Sequence, residues 1–195
     1  MLRILFLQKT LNSAVATTSD MTQRKAQRKA QKPTWSMFPL MHDYVSSLLE
    51  VECLNFTFHD LDDDVDIMRT CDTSIVGRFS CHNPKCQSNG WLSMRTAITI
   101  RMYRGKRYNA RVYHQRCKAC NFLSKPTLED SYAERVAYRL KTWCGVELER
   151  PTFSGQSKGP HEVKFCEGCK AGHCSEGRGI DGIVGDFSNF SLGGT

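Results

Sequence analysis

The cysteines of this chain gather in close pairs, and their spacing limits the fold more than any other feature. Cys81 and Cys86 form a C-x4-C pair, while Cys117 with Cys120 and Cys166 with Cys169 form C-x2-C pairs. His161 precedes Cys166 and Cys174 follows Cys169, each with four residues between. A C-x2-C pair turns two thiolates toward one centre from a single tight turn. A disulfide over so short a loop removes little entropy from the unfolded chain. The pattern therefore points to thiols held by metal in a reducing compartment. Thiolates and one imidazole in sets of four suit tetrahedral zinc.

The hairpin-length segment between the first two pairs returns the chain to where it started. Cys81, Cys86, Cys117 and Cys120 can then meet at one end of a sheet, as in zinc ribbons. His161, Cys166, Cys169 and Cys174 form the second set, with Gly168 and Gly172 allowing a tight backbone. An interleaved, cross-braced arrangement uses the same eight residues, so spacing leaves the pairing open. His173 competes with His161, which is preferred because Pro160 fixes the entering chain. Cys53, Cys71 and Cys144 stand alone and are expected to be small buried hydrophobes; His82 and His114 are expected at the surface or in the core.

Periodicity supplies the elements around these sites. Met37 to Glu50 places Met41, Tyr44, Val45, Leu48 and Leu49 at helical spacing, and predicts an amphipathic helix. Leu54 to His59 alternates as a strand. The five aspartates between Asp60 and Asp66 do not make an EF-hand: counted from Asp62, Ile67 and Thr73 stand where glycine and the bidentate acid belong. A solvated acidic loop is expected. Ile75 to Ser80 leads into the first cysteine pair. Trp91 to Tyr103 predicts a half-buried strand, with Leu92, Met94, Ile98, Ile100 and Met102 on one face and Ser93, Arg95, Thr99 and Arg101 on the other. Arg104 to Arg107 reads as a turn and Tyr108 to Gln115 as the partner strand. A helix capped by Asp130 or Ser131 is expected from Glu129 to Trp143, and Gly145 to Pro160 reads as a loop.

The predicted architecture is thus α+β: a small antiparallel, hairpin-centred, zinc-ribbon-like sheet with two packing helices and two structural zinc sites. The expected domain covers residues 35–174, after a basic, disordered extension over 1–34 and before a Gly/Ser-rich tail over 175–195. Thr22 to Lys32 carries five basic residues and no acid. Met1 to Thr18 is a poor secretory signal and reads only weakly as a mitochondrial transit peptide; Met21 is an alternative start. No apolar run approaches the roughly 20 residues that span a bilayer. A cytoplasmic location is expected, with the nucleus or mitochondrion as alternatives.

These motifs identify a family likeness. Gly77 to Cys81 (GRFSC), Gly90 to Ser93, Val112 to Cys120 (VYHQRCKAC), Ser131 to Trp143 and Pro160 to Cys174 resemble the 3CxxC-type zinc-binding domain of receptor-transporting and zygote arrest proteins, most of all its fungal members. The likeness runs from about Trp35 to Cys174. The first pair departs from it, with four intervening residues where the family name has two, a wider knuckle that still holds zinc. The resemblance implies two zinc ions. Receptor-transporting proteins are associated with surface delivery of membrane receptors, and zygote arrest proteins with RNA.

Function is read from charge. The net charge is +7, and no acid lies between Asp72 and Glu129, where eleven Lys or Arg occur. Trp91, Tyr103, Tyr108 and Tyr113 lie among them. Cations interleaved with aromatics suit phosphate contacts and base stacking, so nucleic acid, RNA first, is the expected partner, through Arg95, Arg101, Arg104, Lys106, Arg107 and Arg111 of the basic hairpin. The same pattern fits a solvated basic face with half-buried tyrosines. The alternative is a protein-binding adaptor or chaperone-like module for membrane-protein trafficking, with the N-terminal helix as an apolar docking face. No catalysis is expected: two closed sets leave zinc no open position, and after His161-Glu162 an H-E-x-x-H frame fails because Cys166 stands one residue past the second histidine's place.

Overall fold

The computed structural model describes residues 32–148 and 161–174. The readings of a leader peptide, an alternative start, a basic extension and a Gly/Ser-rich tail, and most of the predicted 145–160 loop, lie outside the described residues.

Three strands carry the sheet. β3 (Ile67–Phe79) pairs antiparallel with β4 (Trp91–Tyr103), and β4 pairs antiparallel with β5 (Arg107–Tyr113). The outer edge of β5 is shared by β1 (Trp35–Ser36), antiparallel, and β2 (Thr57–Phe58), parallel. The outer edge of β3 takes β8 (Pro126–Leu128), giving the order β1-β5-β4-β3-β8. β6 (Gln115–Arg116) and β7 (Leu123–Ser124) form a separate two-stranded ribbon. The expected antiparallel sheet is present, and β4 runs over the predicted residues. β3 begins eight residues earlier than the expected Ile75: Met68-Arg69-Thr70-Cys71-Asp72 shows no apolar alternation, because pairing with β4 rather than burial holds it.

Two helices cover one face of the sheet. A 3-10 turn (Pro39–Met41) leads into α1 (His42–Glu50), and α2 is Ser131–Trp143. Val45 and Leu49 of α1, with Tyr132, Val136 and Leu140 of α2, are buried against Ile98, Ile100 and Met102 of β4. Asp130 stands at the start of α2 but its side chain makes no cap. Ser131 instead ties the helix to the sheet. The β3–β4 register shifts between Ile75 and Gly77, and the Val76 amide donates to Ser131 Oγ at 3.1 Å. A bulge leaves a backbone group outside the ladder, and this hydroxyl satisfies it.

The second face of β4 is buried as well, contrary to the half-buried expectation. Thr99, Arg101 and Tyr103 are each at most 2% exposed. The cover over Arg101 and Tyr103 is the aspartate loop, which is therefore not merely solvated. Arg101 donates to Asp62 Oδ1 at 2.5 Å, Asp64 Oδ1 at 3.1 Å and Asn109 Oδ1 at 2.8 Å. Tyr103 Oη donates to the Asp63 carbonyl, and Asn109 Nδ2 to those of His59 and Leu61. A charge this buried needs such partners, since an unpaired one costs several kcal/mol.

The lone cysteines also differ from expectation. Cys53 and Cys144 are exposed and Cys71 is half-buried, because Cys53 and Cys144 follow the ends of α1 and α2, outside the apolar contact.

Candidate metal centres

The first quartet forms where strands end. The loop after β3 carries Cys81 and Cys86, and turns when the Cys86 amide donates to the Asn83 carbonyl at 2.9 Å. The loop between β6 and β7 carries Cys117 and Cys120. There the Cys117 amide donates to the Phe122 carbonyl at 2.9 Å, and the Asn121 amide to the Cys117 carbonyl at 2.8 Å. Cys81 Sγ lies 3.5 Å from Cys120 Sγ, and Cys86 Sγ lies 3.8 Å from Cys117 Sγ.

The second quartet forms on the sheet. His161 leads into a 3-10 turn (Val163–Phe165), Cys166 stands at the start of the single turn α3 (Glu167–Lys170), and Cys169 lies within that turn. His161 Nε2 stands 3.1 Å from Cys169 Sγ and 3.6 Å from Cys174 Sγ. Gly172 has φ +78°, the left-handed geometry that glycine accepts. Gly168 serves a different purpose: a Cβ there would stand 2.4 Å from Ala97 Cβ, so the missing side chain lets the knuckle sit on β4. Gln115 bridges to Cys166 in a short antiparallel pairing. Glu167 accepts from Arg116 Nε at 2.6 Å and Lys170 Nζ at 2.7 Å. Burial raises the Glu167 carboxyl, but those two cations outweigh it and hold it below the usual range.

Both quartets fit zinc. Thiolate sulfurs about 2.3 Å from a tetrahedral ion are about 3.8 Å apart, and within each quartet all ligand atoms lie within 4.8 Å of one another. Thiols this close cannot all ionise unaided. Burial raises Cys117, but backbone hydrogen bonds from Cys120 and Ala119 outweigh it and bring its thiol down to about 6. The Asn83 backbone lowers Cys81, yet burial and the other three sulfurs push it up to about 12. In the second quartet Cys174 falls to about 6, chiefly through its hydrogen bond with Cys166 and against its burial. Cys166 is pushed up by that same bond and by burial, and Cys169 rises to about 11, first through burial. A dication among the sulfurs would neutralise this mutual repulsion and let the thiols deprotonate together.

The structure separates the quartets rather than interleaving them, and brings together all eight predicted ligands. His173 stays outside. It stacks on Tyr113 at 5.5 Å and places Nδ1 3.1 Å from the Asp72 carboxylate, which also accepts from Thr99 Oγ1 at 2.6 Å. His82 is exposed, and buried His114 lies 2.9 Å from Ser36 Oγ.

The six cations proposed for RNA stand in unlike surroundings. Arg101 is buried and paired as described. Arg111 donates to Asp62 Oδ1 at 2.6 Å and lies over Trp35. These two are corrections to the expected binding face, because the aspartate loop holds them. Arg107 donates to the Arg104 carbonyl and approaches His59. Arg95, Arg104 and Lys106 are exposed. Tyr103, Tyr108 and Tyr113 are at most 2% exposed, so they are core side chains rather than half-buried surface rings. The sequence carried a signal for the Arg101 lock: one arginine between Ile100 and Met102 in an apolar strand, with aspartates upstream. Nothing in it marked Asp72 as the partner of His173.

An antiparallel sheet stapled by two Cys/His quartets defines a structural zinc-binding module. The model of the 3CxxC zinc ribbon, a zinc-binding domain, matches residues 74–172, half of the 195-residue chain. The chain belongs to this family of zinc-binding domains. The matched span is narrower than the likeness read from sequence and stops two residues short of Cys174, which the geometry adds to the second quartet. No curated protein and no solved structure matches the chain.

Proposed function

We propose that this chain is a non-catalytic interaction module, held in shape by two zinc ions, whose partner is another protein. Four ligands per site favour a structural role, since they fill a tetrahedral ion and leave no position for water or substrate. The observation that carries the choice of partner is a contrast. The tyrosines of the basic hairpin are buried and two of its arginines are neutralised internally, whereas α1 leaves large apolar side chains in solvent. The adaptor reading uses what remains on the surface; the RNA reading needs groups that are inside. Ten unbridged cysteines favour a reducing compartment such as the cytoplasm. No helix among the described residues is long and apolar enough to cross a membrane.

RNA stays the second reading, on exposed Arg95, Arg104 and Lys106. A titration with labelled single-stranded RNA at several salt concentrations decides. The protein reading predicts weak binding that changes little when Arg104 and Lys106 become alanine. Tight binding with a steep salt slope, lost in that variant, would overturn it.

A further inference from the structure

The outward side of α1 and its leading turn is apolar. Leu40 is 90% exposed, Tyr44 60%, Leu48 37% and Val51 76%. At 100° per residue these positions fall within one stripe, turned away from Val45 and Leu49, which meet the core. The helix and the residues just after it carry the acids Asp43, Glu50 and Glu52. From Pro33 to Cys53 the chain has those three acids and no Lys or Arg, although the whole molecule is cationic. Asp43 and Glu50 are exposed, and among the described residues neither forms an ion pair. Glu50 ends α1 and Glu52 follows it, where negative charge opposes the helix dipole. Lys141 approaches Glu52 at 3.4 Å, so Glu50 is the acid left uncompensated. A placement that costs the helix stability without internal relief points to a role in contact.

We infer that this stripe docks a basic amphipathic segment of another protein, one with apolar side chains flanked by Lys or Arg. This inference rests on the protein-binding reading and names the partner's chemistry. Charge decides among occupants: a second copy would set acid against acid, and RNA or an anionic lipid surface would meet the same repulsion.

The test uses the isotope-labelled, zinc-loaded full chain and two helical peptides of about 18 residues, five turns. They share one leucine pattern, with lysines in one and glutamates in the other. The Leu/Lys peptide is expected to saturate with resonance shifts centred on Leu40, Tyr44, Leu48 and Val51, and to bind at least tenfold tighter than the Leu/Glu peptide. Asp43→Lys with Glu50→Lys should invert that order at this face. Leu48→Gln with Val51→Gln should weaken binding about tenfold with an unchanged melt. Equal affinities, no saturation, or a concentration-dependent dimer through these residues would overturn the inference. Shifts confined to another surface would sink this site while leaving the protein-binding reading intact, which fails only on the RNA titration.

Discussion

Two metal centres of equal ligand count and near-identical ligand type sit in different mechanical surroundings. The first is made of loops at the ends of strands, with Cys81, Cys86 and Cys120 partly exposed and two of its ligands carried by the loop of the small β6–β7 ribbon. The second lies against the middle of the sheet. Cys166 and Cys174 are buried, Gly168 rests on Ala97, and His173 stacks on Tyr113. Zinc at the first site closes a knuckle; zinc at the second also fastens a distant chain segment over one face of β4. Ligand chemistry is thus a poor guide to what a metal contributes, and the packing around the ligands decides it.

The largest expected effect tests this contrast. Structural zinc supplies on the order of 10 kcal/mol in small domains. Cys166→Ser should unfold the domain or lower its global stability by about 5 kcal/mol, seen as a shifted melt of the zinc-loaded protein. Cys81→Ser should cost less than half as much, with fast hydrogen exchange confined to the first knuckle and the β6–β7 ribbon. Equal losses would erase the distinction. Gly168→Ala comes next. Its methyl meets Ala97 backed by the sheet, so a loss of about 2 kcal/mol is expected, together with weaker zinc retention at the second site only, measured by chelator competition.

Glu167→Gln sharpens the comparison further, because Glu167 joins α3 to Arg116 beside the first knuckle. Charge-assisted hydrogen bonds of this kind contribute about 1.5–3 kcal/mol. A carboxyl held low stabilises the fold fully above its unfolded pKa, near 4.5, and the gain is lost as pH falls through the lower folded value. The variant should therefore be less stable than the parent at pH 7, with the gap closing below pH 4.5. A constant gap would assign Glu167 a packing role alone.

Much of this was legible in the sequence for physical reasons. Ligand chemistry demands particular residues at particular spacings, so all eight ligands could be read. Apolar periodicity marked β4 and α2 because the apolar face of each meets the same core. What sequence missed was contact between distant segments. Tyr103, Tyr108 and Tyr113 resemble surface rings among cations until the aspartate loop, helix α1 and the C-terminal knuckle are folded over them. The start of β3 was invisible because a strand held by its neighbours needs no alternation. Cys53 and Cys144 were misjudged because burial depends on where a helix stops.

The segment that covers Ala97 comes late in the chain. A ribosome delivers the hairpin and both helices well before His161 to Cys174. Until that last stretch emerges and captures its ion, Ala97 lacks its lid. Metal supply would then act late in biogenesis, as the closing step of folding, and a cell short of zinc would accumulate chains complete in length but open along one side.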